Sequence, residues 1–150
     1  MEAKHTYRIL LWSVSVFGVV CFIFANSFLP ADASAEESGS FLSFFLVLFP
    51  EISHHLIRKL AHVAEYALLG LHLGIAPMGS PFSVRITYPA VFLFGWIIAL
   101  MDEGIQHFVP GRGASFKDVL VDFGGYLAAL IVVFAILFII SRTRKEKPHA

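Results

Sequence analysis

The sequence has little charge and almost no cysteine. Its 150 residues include a single cysteine, Cys21, and charged residues make up only 15%. One cysteine inside an apolar run excludes an internal disulfide framework and argues against a cysteine-ligated metal. Lysine plus arginine equals aspartate plus glutamate at 11 each, so the total charge gives no reason to expect a nucleic-acid partner. Internal repeats, a glycine-rich phosphate-binding loop and zinc-finger spacing are also absent from the sequence.

Hydrophobic residues are abundant instead. They make up 57% of the chain, with 16 phenylalanines, and the apolar runs are long enough to cross about 30 Å of hydrocarbon at about 1.5 Å per residue. We therefore predict an all-α integral membrane protein that forms one domain over residues 1–150, a bundle of four transmembrane helices. The predicted spans are residues 9–29, 55–76, 87–108 and 119–140, followed by a basic tail at 141–150.

The first apolar run has an alternative interpretation as a secretory signal peptide. Lys4 and Arg8 precede it, and the Ala-Ser-Ala sequence at 33–35 resembles a cleavage site. The apolar part of a signal peptide is about 7–15 residues long, shorter than this run, which favours a transmembrane helix. After an acidic linker at 31–40, residues 41–49 are apolar but too few to cross, so we predict a short interfacial or re-entrant segment there.

The distribution of lysine and arginine predicts the orientation, because short cytoplasmic loops carry an excess of these residues. One side of a four-span arrangement holds seven of them, Lys4, Arg8, Arg85, Arg142, Arg144, Lys145 and Lys147. The other side holds four, alongside several carboxylates: Arg58, Lys59, Arg112 and Lys117. We therefore expect a multi-pass protein of the cell membrane with both termini in the cytoplasm and a basic cytoplasmic tail.

Ionisable and polar residues gather near the extracytoplasmic ends of the last three predicted spans: His62, Glu65, Asp102, Glu103, Gln106, Asp118 and Asp122. Within each span they recur at three, four or seven residues, the spacing that places side chains on one face of a helix. A charge that faces lipid costs about 2.5–3.5 kcal/mol or more, and small residues on the same faces let helices approach closely. We therefore predict that these faces meet inside the bundle.

The residues permit several kinds of site. One is a structural ion-pair network, although buried ion pairs often only break even against apolar packing. A second is a divalent metal site that uses His62, Glu65, Asp102 and Asp122 for Mg²⁺, Mn²⁺ or Ca²⁺. A third is acid–base catalysis, as in a membrane-embedded hydrolase or transferase, with the catalytic candidates His62, Glu65, Asp102 and Glu103.

A fourth kind of site binds an anionic ligand. Arg112 and Lys59 supply positive charge, and the N-terminus of the fourth helix attracts anions. Asp118 lies at that N-terminus, where we predict that it caps the helix.

Three segments resemble the signature motifs of VanZ-like membrane proteins. The first is RKLAHVAEYALLG at 58–70, with a basic residue and His followed by Glu-Tyr and Leu-Gly. The second is DEGIQHFVPGR at 102–112, and the third is DVLVDFGG at 118–125. Residues 24–30 are similar to the polar exit of the family's first span, and the resemblance extends over about residues 9–140.

The resemblance implies which residues form the site. By motif matching, the family's polar positions are Lys59, His62, Glu65, Tyr66, Asp102, Glu103, Gln106, Arg112, Asp118 and Asp122. Six of these are expected to contact substrate, namely Lys59, Tyr66, Gln106, Arg112, Asp118 and Asp122. The family takes its name from a bacterial protein that is encoded with vancomycin-resistance genes and raises resistance to teicoplanin, a lipoglycopeptide. The resemblance therefore implies a role in the bacterial cell envelope.

Three functional hypotheses follow. The preferred one is a cell-envelope protein that binds or modifies an amphiphilic or lipid-linked substrate at the outer leaflet, in contact with membrane lipid. The second is a small-molecule or proton-coupled transporter, for which His72 is the one hint of a path to the cytoplasm. The third is a structural membrane subunit. Gly70 and Gly74 form a GxxxG pattern that packs either a homo-oligomer or the monomer itself.

Overall fold

The structure is a computed structural model that describes residues 2–30, 54–75 and 83–145. In this part of the chain it contains four helices, which we number α1 (Glu2–Ser27), α2 (His54–Gly74), α3 (Val84–Gln106) and α4 (Phe116–Lys145), and no strands. The prediction of an all-α membrane bundle is confirmed. The predicted interfacial segment at 41–49 lies outside the described residues.

The observed helices are offset from the predicted spans. The first three end two residues earlier than predicted, at Ser27, Gly74 and Gln106. After Ser27, Leu29 N–H donates to the Asn26 carbonyl at 3.2 Å, a turn that closes the helix before Pro30. Conversely, α1 and α4 extend beyond their apolar runs into the flanking basic segments, because a helix satisfies its own backbone hydrogen bonds on both sides of the membrane boundary.

Three helices are long and apolar enough to cross a membrane, over Ile9–Ser27, Arg85–Gln106 and Phe116–Thr143. Their outward faces carry large apolar side chains, among them Leu10, Phe17, Phe22, Phe92, Leu93, Ile131 and Ile136. Several carboxylates, by contrast, are buried. Exposed apolar and buried polar residues are the reverse of the usual soluble pattern, as expected for a bundle surrounded by lipid. That α2 also crosses the membrane stays a prediction, since it is not one of these three helices and its first half is polar.

Contacts along the helices establish their relative directions. Trp12 of α1 donates from Nε1 to the His72 carbonyl of α2 at 2.8 Å, while Asn26 contacts Glu65. Residue numbers rise along α1 as they fall along α2, so this pair is antiparallel. The rings of Tyr88 and Phe134, and of Trp96 and Phe116, make α3 and α4 antiparallel in the same way.

The α2 and α4 helices run parallel and make the most extensive interface of the bundle. Glycines bring their backbones together: a Cβ at Gly70 would lie 2.4 Å from the Tyr126 carbonyl oxygen, and one at Gly125 2.7 Å from that of Val63. A Cβ at Gly74 would lie 2.9 Å from the Val133 Cβ. The GxxxG pattern of Gly70 and Gly74 therefore packs within the monomer.

Adjacent glycines on α4 provide a test of this interface. We expect Gly125→Ala to lower the free energy of unfolding by about 1–3 kcal/mol, because the new methyl group meets the Val63 backbone and neither helix can yield locally. Gly124→Ala is the matched control, since nothing lies within 4 Å of a Cβ there, and alanine adds helix propensity. Unfolding in detergent micelles by added SDS measures both variants. Equal stability of Gly125→Ala and Gly124→Ala would contradict the close approach of α2 and α4.

Candidate functional site

Polar side chains concentrate at one end of the bundle, where α1 and α3 end and α4 begins, beside the first half of α2. We call this set the polar cluster: Asn26, Ser27, His62, Glu65, Asp102, Glu103, Gln106, Arg112 and Asp122. Ser27, His62, Asp102, Glu103 and Asp122 are buried. The helix directions explain the gathering, because up-down packing brings the end of each odd-numbered helix to the start of each even-numbered one.

Asp102 lies at the centre of the polar cluster and is fully buried. The Ser27 hydroxyl of α1 donates to its Oδ1, and Gln106 Nε2, one turn further along α3, donates to its Oδ2 at 3.2 Å. His62 Nδ1 of α2 lies 3.8 Å from the same Oδ2. Asp102 therefore joins three helices through one carboxylate.

His62, Asp102 and Asp122 form a compact group from α2, α3 and α4. One potential ligand atom from each lies within 4.8 Å of those from the other two, and all three residues are buried. Imidazole nitrogen and carboxylate oxygen both bind divalent metals. Glu65, the fourth residue predicted for a metal site, is not in this group. Its Oε1 instead accepts a hydrogen bond from Asn26 Nδ2 at 2.7 Å.

Arg112 lies in the loop between α3 and α4 and turns back toward α1. A turn positions it: Arg112 N–H donates to the Val109 carbonyl at 3.1 Å, with Pro110 and then Gly111 between them. Gly111 has φ 76°, as position three of a type II turn requires, which favours glycine. Arg112 Nη2 then donates to the Asn26 carbonyl at 3.0 Å. The loop thereby closes over the end of α1.

The guanidinium of Arg112 is incompletely paired. Its Nε and Nη1 are buried and have no hydrogen-bond partner among the described residues. Burial, and next the nearby charge of Arg58, lower the pKa of Arg112, while Asp102, Glu65 and Glu103 act in the opposite sense. A half-buried cation with unused donors is suited to hold a carboxylate or phosphate.

Glu103 and Ser115 fasten the loop to the start of α4. The Ser115 backbone N–H donates to Glu103 Oε1, and the Ser115 hydroxyl accepts from the Lys117 N–H at 3.3 Å. Ser115 is therefore the N-cap of α4. The prediction that Asp118 caps this helix is wrong: its carboxylate pairs with Lys59 Nζ of α2 at 2.7 Å, and both side chains are half-buried.

A small cleft of about 20 Å³, close to the room that a single water molecule needs, opens beside the polar cluster. It is lined by Arg58, Lys59, His62, Gln106, Asp118, Val121 and Asp122. Four of the six predicted substrate-contacting residues, Lys59, Gln106, Asp118 and Asp122, thus lie together. The other two do not line the cleft. Arg112 faces α1, and Tyr66 is fully buried, with its hydroxyl beside Asp102 and 3.4 Å from the Ile98 carbonyl.

Three members of this arrangement are not among the predicted site residues. Asn26 and Ser27 belong to residues 24–30, which resemble the polar exit of the family's first span, but neither they nor Ser115 are predicted to contact the other polar residues. The available signal was position: Asn26 and Ser27 are adjacent polar residues at the end of an apolar run, just before Pro30. Two hydrogen-bonding side chains at a membrane helix end are well placed to contact neighbouring helices.

Comparison with known proteins identifies the family. The model of the VanZ/LLP1 family matches residues 12–140. No curated protein and no solved structure matches the chain significantly. The family match includes every residue of the polar cluster and at least part of each helix. The chain therefore belongs to the VanZ/LLP1 family of membrane proteins.

Proposed function

We propose that this protein binds or modifies an amphiphilic substrate of the bacterial cell envelope at the outer leaflet, and thereby lowers the effect of teicoplanin. The polar cluster is the substrate site in this proposal. The observation that carries it is the set of buried, unpaired polar atoms there: Arg112 Nε and Nη1, Glu103 Oε2 and His62 Nδ1 have no hydrogen-bond partner in the described part of the chain.

Unpaired atoms favour a binding site over a structural network. Each buried polar group left without a partner costs about 1–3 kcal/mol, and more when it is charged. A network whose only role is stability would be expected to satisfy these groups. Donors from Arg112 and a ring nitrogen of His62 instead remain available to a ligand, beside the acceptor Glu103 Oε2.

An outer-leaflet location follows from the positive-inside rule. The start of α1 and the end of α4 lie at the opposite end of the bundle from the polar cluster, and they carry Arg8 and Arg142. With those basic ends in the cytoplasm, the polar cluster faces the exterior. A compound that acts on the cell wall is encountered on that side.

Apolar surface beside the polar cluster supports an amphiphilic substrate. Phe108 and Phe116 flank the loop between α3 and α4 and are 85% and 62% exposed. A molecule with a polar head and an apolar chain can place its head at the polar cluster while the chain lies along this surface. Catalysis by His62, Glu65, Asp102 or Glu103 would convert such binding into a hydrolase or transferase reaction.

In the described part of the chain, the contacts of His72 do not favour the transporter alternative. His72, its one support in the sequence, uses Nδ1 in a contact of 2.9 Å with the Leu68 carbonyl of its own helix. Its carbonyl accepts the Trp12 indole N–H. These contacts are those of a packing residue in the interface between α1 and α2.

Drug susceptibility of a sensitive host tests the proposal. We expect wild-type protein to raise the inhibitory concentration of teicoplanin with little effect on vancomycin, and Glu65→Gln or Asp102→Asn to abolish that increase. Each variant replaces a carboxylate by an amide of the same shape, so the loss reports on charge in the polar cluster. Arg142→Gln, which removes an exposed charge at the opposite end, is the control.

Membrane levels of every variant are measured by immunoblot, so that loss of protein is not mistaken for loss of activity. An unchanged teicoplanin effect in both amide variants would exclude the polar cluster as the active site. Absence of any effect with well-expressed wild-type protein would reject the resistance role.

A further inference from the structure

We propose that His62, Asp102 and Asp122 bind one divalent transition-metal ion. The role of the ion rests on the proposed function: it would hold or polarise an anionic group of the substrate. The binding itself is argued from the geometry, burial and charge of these three residues.

The geometry is close to that of a metal site. In a tetrahedral site with metal–ligand distances of about 2.1 Å, the ligand atoms lie about 3.4 Å apart. His62 Nδ1 and Asp102 Oδ2 are separated by 3.8 Å, and the ligand atoms of all three residues lie within 4.8 Å of one another. Small side-chain rotations therefore suffice to bring the three atoms onto one ion.

His62 supplies an independent observation. The residue is only 9% exposed, and its Nδ1 has no hydrogen-bond partner among the described residues although it lies 3.8 Å from Asp102 Oδ2. A buried ring nitrogen normally donates to or accepts from a neighbouring group. A metal ion between the imidazole and the carboxylates satisfies the nitrogen without any change in the backbone.

The charge balance also favours a cation. Asp102 and Asp122 are 0% and 3% exposed, and a buried carboxylate that stays ionised requires a paired charge or a metal. In the part of the chain that the structure describes, neither is ion-paired with a lysine or arginine: Lys59 pairs with Asp118, and Arg112 donates to the Asn26 carbonyl. The position between the two aspartates is therefore open to a metal ion.

Neighbouring hydrogen bonds hold the aspartate in place. Ser27 donates to Asp102 Oδ1 and Gln106 donates to Oδ2, contacts of the kind that orient metal-binding carboxylates and are themselves important for affinity. Oxygen and imidazole ligands together suit Mn²⁺, Fe²⁺ or Zn²⁺. Three protein ligands leave a coordination position open, as in catalytic metal sites, and His62 and Asp122 both line the cleft.

Metal binding by the purified full-length protein in detergent is the direct test. After removal of metals with a chelator, we expect wild-type protein to bind one Mn²⁺ or Zn²⁺ per chain, measured by elemental analysis and calorimetry. His62→Gln and Asp122→Asn are expected to raise the dissociation constant more than about 100-fold, and Gln106→Leu about 10–100-fold. His107→Gln is the matched control for His62→Gln, because His107 is an exposed histidine at the same end of the bundle.

A second measurement uses only wild-type protein, so its outcome does not depend on whether a variant folds. Electron spin echo spectra of Mn²⁺-loaded wild-type protein, prepared with ¹⁵N-labelled histidine, should show coupling to one imidazole nitrogen. The inference would be overturned if the protein bound no metal, if bound Mn²⁺ showed no imidazole coupling, or if His107→Gln weakened metal binding as much as His62→Gln. Metal binding without a teicoplanin effect would reject the proposed function alone, and a teicoplanin effect without metal would reject this inference alone.

Discussion

Arg112→Met should lower the free energy of unfolding by about 3 kcal/mol. Removing one partner from a fully buried charge network costs about 3–5 kcal/mol, and Arg112 is only half-buried, which places the effect at the low end of that range. The variant loses the donor to the Asn26 carbonyl and removes a positive charge that partly offsets the charges of Glu103 and Asp102. Methionine preserves much of the side-chain length and apolar stem, so the loss reports on charge and hydrogen bonding.

Lys117→Met is the matched control for this prediction. Lys117 is an exposed cation five residues further along the chain, and surface charges of this kind contribute about 0–1 kcal/mol. SDS-induced unfolding in mixed micelles compares the two variants. Adding Glu103→Gln to Arg112→Met should recover part of the stability, because it removes one of the uncompensated carboxylates. If Arg112→Met and Lys117→Met unfold at the same SDS fraction, Arg112 does not stabilise the polar cluster.

Tyr126→Ala is expected to lower the free energy of unfolding by a similar amount, for a different reason. Tyr126 is fully buried in α4, and a Cβ at Gly95 would lie only 2.2 Å from its ring, so α3 packs directly on that ring. Truncating a large buried aromatic residue costs about 3–5 kcal/mol in soluble cores. In a membrane the hydrophobic part of this cost is smaller, because lipid replaces water, but the packing contacts are still lost. We therefore expect Tyr126→Ala to lower the free energy of unfolding by about 3 kcal/mol.

Tyr126→Phe separates the ring from its hydroxyl. The hydroxyl donates to the Val91 carbonyl at 2.6 Å, a single hydrogen bond that contributes about 1 kcal/mol. The same unfolding assay should therefore rank wild type above Tyr126→Phe, and both well above Tyr126→Ala. A loss in Tyr126→Phe as large as that in Tyr126→Ala would mean that the hydrogen bond, and not the packing of the ring, joins α3 to α4.

The candidate site shows where helical periodicity is reliable. His62, Asp102 and Asp122 were selected because each lies on a face with small residues or other polar residues, and the structure places them within 4.8 Å of one another. Periodicity works here because a lipid-exposed charge is expensive, which leaves the bundle interior as the place for these side chains. Their chemical roles remain proposals.

Periodicity is less informative where serine, asparagine or a loop is involved. Ser27 and Asn26 carry no charge, so no energetic argument forces them inward, and their contacts with Asp102 and Glu65 depend on how α1 is rotated. Asp118 has the residue type and position of a helix cap, yet Ser115 performs that role. Lys59 lies close enough to pair with Asp118 only because α2 packs beside the start of α4.

The amino-acid sequence is sufficient to predict an all-helical membrane bundle with its polar residues gathered at one end, and its motifs indicate the VanZ family. Long apolar runs and three-to-four-residue spacing carry the structural information locally, because each depends on one helix and its solvent. Which polar groups meet is visible only in the tertiary structure: Arg112 with α1, Glu103 with Ser115, and His62 with two aspartates. The tertiary structure also decided that Gly70 packs on α4. These pairings depend on helix rotation, helix separation and the path of the loop, which arise from contacts between residues far apart in the chain.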